Sequence, residues 1–208
     1  MVVHREDYLV RAKTIDKRNQ FLQAGKELFF EKGYISVSVK EICDKLNTTT
    51  GSFYFMFSSK EKLLEELLTE SLSELWTTGE AVAKAKKDLK SKLGNYFENA
   101  LDYVIREVEL MKFYRSILDE TGIGAKTAHD IRTLSLKKQE ENLYYLLNSH
   151  KEDINHDSSR IKDLAKYTML ILEYKQVELI DKLINNEKVD KIEEKEFLSK
   201  AIEGLIKI

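Results

Sequence analysis

The stretch SVSVKEICDKLNTTTGSFYFMFSSKEKLL, residues 36–64, constrains the fold of this chain more than any other part of it. Its pattern predicts two short helices joined by a tight turn, followed at once by the start of a third. Ser38 with Glu41 forms a capping box, in which the Ser oxygen and the Glu carboxylate each satisfy an orphan backbone N–H. Ile42 and Leu46 give the first short helix one apolar face. Asn47 adopts the left-handed conformation that ends such a helix more readily than most residues do. Thr48 or Thr49 caps the next helix, which runs through Gly51, Ser52, Phe53 and Tyr54, and a second capping box, Ser58 to Glu61, opens the third. Two helices joined by so short a turn make a helix-turn-helix, whose second helix can enter the major groove of DNA.

The rest of the chain reads as helices too. It holds no Pro, against an average usage of about 5%. A first helix is predicted from about Thr14 to Lys32, ended by Gly33, where positive φ is needed. The long fourth helix, from Ser59, carries Leu63, Leu64, Leu67, Leu68, Leu72, Leu75 and Trp76 at helical spacing, with its end placed near Gly79. A fifth follows over Leu89–Val108, a short sixth over Met111–Leu118, and a seventh over Ala125–Asn148. The polar stretch 149–157 reads as a loop. The eighth helix spans Ser158–Asn185, and its run YTMLILEY, 167–174, is apolar nearly all round, so more than one of its faces must be covered. Asp190 and Glu193 cap a ninth, with the stripe Phe197, Leu198, Ala201, Ile202, Leu205 and Ile206. The expected class is all-α, with about nine helices.

Net charge is −2, but it is unevenly spread. Residues 1–62 hold eleven Lys or Arg against eight Asp or Glu, and residues 63–208 hold twenty-three against twenty-eight. A mildly basic head on an acidic body suits an end-on contact with DNA, and an excess of three positive charges calls for two copies. One Cys excludes an intramolecular disulfide and suits a reducing cytoplasm. Charges throughout the first thirty residues exclude a secretory signal core, and no apolar run approaches the ~20 residues of a membrane helix. A cytoplasmic protein with no membrane contact is expected.

Leu28, Phe29, Lys32, Gly33, Tyr34, Ser38, Val39, Glu41, Ile42, Gly51, Ser52, Phe53, Tyr54, Phe57, Ser59, Lys60, Glu61 and Leu63 stand at matched spacing without gaps. This run, about the first third of the chain, resembles the amino-terminal domain of the TetR family of transcriptional regulators. The remainder matches that family's variable ligand-binding and dimerisation domain in architecture alone. The chain departs from the family pattern at Asn47, Thr48, Thr50 and Met56. Threonines at 48–50 leave a short, uncharged reading surface.

The DNA-contact candidates are Ser38, Thr49, Thr50, Gly51, Ser52, Tyr54 and Lys60. Hydroxyls donate to phosphates or base edges, and Gly51 lets the backbone approach the duplex closely. The resemblance implies that Tyr54 and Lys60 bind phosphate, and Phe53 with Phe57 is expected to fill the head's core. In the body, Tyr103, Arg106, His129, Tyr144, Glu173 and Tyr174 are candidates to line a ligand pocket, since such pockets are mostly apolar with a few fixing groups. Glu173 needs a partner, either a cationic ligand or Lys175. His4, His129, His150, His156 and Cys43 are scattered and form no metal set. No catalytic triad, P-loop or dinucleotide fingerprint is present, so neither a cofactor nor an enzyme activity is expected.

The resemblance therefore implies a helix-turn-helix domain over 1–62 and a helical ligand-binding and dimerisation domain over 63–208. It implies a ligand-responsive repressor that binds a palindromic DNA operator as a homodimer through the eighth and ninth helices. A mostly apolar small molecule would release it. The competing reading is a helical interaction module whose head holds a protein partner without ligand control.

Overall fold

The computed structural model describes the backbone of residues 3–154 and 158–206, and the side chains of residues 13–154 and 160–204. The side chains of His4, His156 and Leu205 lie outside these. Among the described residues there are ten α-helices and no strand. They are α1 (Val3–Lys32), α2 (Val39–Lys45), α3 (Thr50–Met56), α4 (Lys60–Lys84) and α5 (Leu89–Arg106). The others are α6 (Val108–Leu118), α7 (Ile123–Asn148), α8 (Lys151–Ile154), α9 (Ser158–Ile184) and α10 (Lys191–Ile206). The all-α class holds. No helix among the described residues is long and apolar enough to cross a membrane.

The helix bounds differ from the sequence expectation in several places, α6 starting at Val108 rather than Met111 among them. α1 begins eleven residues earlier than Thr14, because no Pro or Gly interrupts the chain before Gly25. α4 passes straight through Gly79, whose missing side chain serves packing: a Cβ there would meet Tyr96 and the Asn142 amide at 3.1 Å. The polar stretch 149–157 includes the short α8, anchored by buried Ile154.

The chain forms two compact units, Met1–Ser71 with Phe113–Ile131, and Leu72–Lys112 with Arg132–Ile208. In the first, Phe21, Phe53 and Phe57 meet edge to face or tilted, with centroids 5.5 to 6.3 Å apart. All three are almost wholly buried, beside Ile42, Cys43 and Leu63. A second aromatic group joins Phe29 to Tyr34 at 5.2 Å, with the Phe113 ring stacked on Phe29 at 6.1 Å. α1 ends where expected: Gly33 has φ 78°, and its N–H returns to the Phe29 carbonyl.

The second unit is built on α5, α9 and α10, which pack against one another. Leu93, Tyr96, Phe97, Ala100, Leu101 and Val104 form the buried face of α5; Ile161, Leu164, Ala165, Met169, Leu172 and Leu179 form that of α9. Two lysines of α9 clamp α10: Lys175 and Lys182 each reach the Glu194 carboxylate at 2.6 Å. The opposite side of α9 is apolar as well. Tyr167, Leu170, Tyr174 and Val177 recur at spacings of three and four, each at least 40% exposed.

Candidate nucleic-acid interface

Local capping sets the geometry of α2 and α3. Ser38 takes extended backbone angles and its Oγ accepts the Glu41 N–H at 3.2 Å, while the Glu41 carboxylate accepts the Ser38 N–H at 2.8 Å. These bonds to Ser38, with a weaker contribution from Lys32, hold the Glu41 carboxyl below the usual carboxylate range. α2 closes at Asn47, which is left-handed as expected with φ 48°. Thr49, not Thr48, then caps α3, its Oγ1 accepting the Ser52 N–H at 3.3 Å. Ser59, not Ser58, caps α4 by accepting the Lys62 N–H at 3.2 Å.

One side of α3 is anchored. Phe53 and Phe57 are buried against Phe21, and the Arg18 guanidinium donates to the Met56 carbonyl at 2.6 Å while pairing with Glu66 and lying 4.3 Å from the Phe57 ring centre. The other side faces outward. At about 100° per residue, Thr50, Gly51, Tyr54 and Phe55 share one arc of the helix, and all four are exposed. Tyr54 is 57% exposed and Phe55 78%.

Gly51 belongs to this face for a reason the chain itself does not supply. A Cβ added there would meet only Thr49 Oγ1, at an ordinary 3.7 Å. Glycine inside a helix costs roughly 0.5–1 kcal/mol relative to alanine, and nothing in the protein's packing offsets that. The absent side chain leaves the backbone open to close approach from outside.

The other candidates divide by role. The Thr49 and Ser52 hydroxyls lie 3.2 Å apart, engaged with each other and with the cap. Ser38 is exposed at the start of α2, but its side chain is held by Glu41 at 3.0 Å. Lys60, at the start of α4, turns inward: its Nζ donates to the carbonyls of Tyr34 at 2.9 Å and Val37 at 2.8 Å, and lies 4.2 Å from the Tyr34 ring centre. Burial pulls its ammonium below the usual lysine range. Two of its three N–H donors are used within the chain, which leaves one.

Comparison with known proteins agrees with this arrangement. Residues 21–67 match the model of the bacterial regulatory proteins of the tetR family. The chain is 37% identical over 87 residues to the Transposon Tn10 TetC protein of Escherichia coli, covering 40% of this chain and 42% of that one. It is 33% identical over 60 residues to the transcriptional repressor KstR2 of Mycolicibacterium smegmatis, covering 29% of each chain. These matches thus span well under half of the curated relatives' lengths. Residues 21–67 thus carry the amino-terminal domain of the tetR family of bacterial regulatory proteins. The chain's fold also resembles the protein in the solved SmeT–triclosan complex, with a TM-score of 0.70, 13% identity, and coverage of 91% of this chain and 90% of that one.

The six ligand candidates are divided between the two units. His129 is exposed on α7 in the first unit, while the other five belong to the second. Tyr103 is buried, and burial pushes its hydroxyl above the usual tyrosine range. Arg106 is exposed and paired with Glu74 at 2.8 Å and Glu107 at 3.3 Å. Tyr144 is half-buried and Tyr174 exposed. Glu173 does have a partner, but it is Arg132 of α7; Lys175 pairs instead with Glu178 and Glu194.

A polar cluster among α4, α5 and α7 of the second unit went unread in the sequence. Trp76 Nε1 donates to Ser135 Oγ at 3.0 Å, Asn142 Nδ2 to the Trp76 carbonyl at 3.2 Å, and the Tyr96 hydroxyl to the Gln139 carbonyl at 3.2 Å. Buried Gln139 Oε1 and, on α9, Thr168 Oγ1 have no hydrogen-bond partner among the described residues. A cleft of about 350 Å³ opens beside Trp76, Lys138, Asn142 and Tyr145. Ser135, Gln139 and Asn142 recur at spacings of four and three, and that repeat was the available signal. Among the described residues no group of His, Cys, Asp and Glu could hold a metal ion.

Proposed function

We propose that this chain is a ligand-responsive transcriptional repressor, a homodimer that binds a palindromic operator and is released by a mostly apolar small molecule. The exposed arc of α3 carries this reading. Thr50, Gly51, Tyr54 and Phe55 face outward from a helix fastened behind by Phe53, Phe57 and Arg18, the arrangement a major-groove helix requires. Tyr54 supplies a phosphate contact. Lys60 holds the α1–α2 turn in place and keeps one donor for a phosphate. Ser38, Thr49 and Ser52 set the two short helices at the DNA surface.

The apolar stripe of α9, with Phe197 of α10 at 47% exposure, supports dimerisation. A patch of this kind on a free chain marks an interaction surface. Two copies joined there would set their heads on half-sites about one helical turn apart. For the effector, the Trp76–Ser135–Gln139–Asn142 cluster supports a molecule that is apolar over most of its surface and donates one hydrogen bond to Gln139 Oε1. Release needs differential affinity for the two states, and coupling of ~1–3 kcal/mol changes occupancy roughly 5- to 150-fold.

Selection from a random duplex library tests the reading. A palindromic site should be enriched, and log affinity for it should fall linearly with log salt as phosphate contacts release counterions. Absence of any enriched duplex would favour a head that holds a protein partner.

A further inference from the structure

The residues from Thr48 to Ser59 include no Arg, Lys, Asn, Gln, Asp or Glu. Purines are read in the major groove chiefly by bidentate contacts, Arg or Lys to guanine and Asn or Gln to adenine, and α3 can make neither. The nearest cations are committed elsewhere: Lys40 to Asp44 at 2.8 Å, Lys45 to Glu27 at 2.9 Å, and Lys60 to two backbone carbonyls. Asn47, the nearest amide, sits in the left-handed turn before α3. What α3 presents is one uncommitted threonine, a tyrosine hydroxyl and the ring of Phe55.

Such a surface still distinguishes one base. Thymine alone carries a methyl group at C5 in the major groove, and its partners are apolar groups such as a threonine methyl or a phenylalanine ring. Phe55 is the most exposed large hydrophobic residue in the described chain at 78%, whereas Phe53 and Phe57 are buried in the core. We infer that Phe55 and the Thr50 methyl determine sequence specificity by packing on thymine methyl groups in the operator half-site. This rests on the DNA-binding reading of α3 and adds the chemistry of its recognition. Gly51, between them on the same arc, lets the helix backbone come close enough for both contacts.

The test uses the full-length protein and the site enriched from the random duplex library. That site is resynthesised with single thymines replaced by deoxyuridine, which removes the methyl and leaves every hydrogen-bonding group. At one or two positions per half-site the affinity of the wild-type protein should fall about fourfold, the equivalent of uncovering one methyl group. Phe55→Ala should bind the thymine site more weakly and lose its sensitivity at one of those positions. Thr50→Ser, which keeps the hydroxyl, should lose it at the other. Both substitutions are on an exposed face, so the melting temperature should be unchanged.

Equal affinity for the thymine and deoxyuridine sites would overturn the inference and leave the DNA-binding reading standing. So would a thymine sensitivity that persists undiminished in both variants, since the methyls would then be read elsewhere. Failure to enrich any duplex would overturn both readings together.

Discussion

The ring of Tyr34 lies so close across the α-carbon of Gly124 that a Cβ built there would overlap its Cδ1 and Cε1. Tyr34 cannot easily give way. Its ring meets Phe29 at 5.2 Å, its hydroxyl donates to Glu61 at 3.1 Å, and Lys60 covers its face. Gly124→Ala should therefore destabilise the first unit by about 1–3 kcal/mol, the usual cost of overpacking. Tyr34→Ala should make Gly124→Ala nearly neutral, and a double-mutant cycle by urea unfolding measures that coupling.

Lys60→Met keeps most of the stem and removes the ammonium. The Tyr34 and Val37 carbonyls then lose their donor, and a loss of about 2 kcal/mol is expected for two charge-assisted bonds at a partly buried site. DNA affinity should fall too, with the salt slope reduced by about one unit if the remaining donor meets a phosphate. Denaturant unfolding alongside binding at several salt concentrations separates the two effects.

The parts of the site set by local chemistry were legible in the sequence. The Ser38–Glu41 box and the left-handed Asn47 each depend on neighbours within a few residues. Features set by distant partners were not. Glu173 is satisfied by Arg132, 41 residues away, and Gly79 is required by Tyr96 rather than by a helix end. Phe113 returns to stack on Phe29 across eighty-four positions, which no local periodicity records. Phe55 was hidden differently. In FYFMF four aromatics fall within five residues, and only the pairing of 50 and 51 with 54 and 55 shows which two face outward.

Acid should loosen the clamp between α9 and α10. Burial alone would raise the Glu194 carboxyl, but Lys175 and Lys182 outweigh it and hold the group below the usual range. A folded-state value below the unfolded one, about 4.3 for a glutamate, makes its contribution complete above that value. The contribution is lost as pH falls through the lower folded value. Stability should be steady from neutral to about pH 5 and decline below about pH 4. Glu194→Gln should flatten that decline and cost roughly 2–3 kcal/mol at neutral pH, somewhat less than a fully broken buried pair because Lys175 keeps Glu178. Thermal melts across pH check both.

Leu170→Glu places a carboxylate in the middle of the exposed stripe of α9, where Leu170 is 49% exposed and has little packing to lose. The fold should survive with a stability change within about 0.5 kcal/mol, as for most surface substitutions. A seam that is apolar on both sides would then bury two unpaired charges, so the wild type is expected to sediment as a dimer and the variant as a monomer. A dimeric variant at micromolar concentration would place the contact elsewhere, and a monomeric wild type would overturn the dimer proposal.

Gly51→Ala sets stability against function most directly. The chain has room for the methyl group, which would touch only Thr49 Oγ1 at 3.7 Å. Alanine is the better helix former, so α3 and the first unit should gain about 0.5–1 kcal/mol. On the outward arc, the same methyl lies between the backbone and whatever approaches it. If the duplex comes as near as the exposed face allows, operator affinity should fall at least tenfold while the melting temperature rises. A packing glycine would lower the melting temperature instead, and a glycine on an unused surface would leave operator affinity unchanged. A gain in one with a loss in the other identifies Gly51 as a residue kept for its ligand.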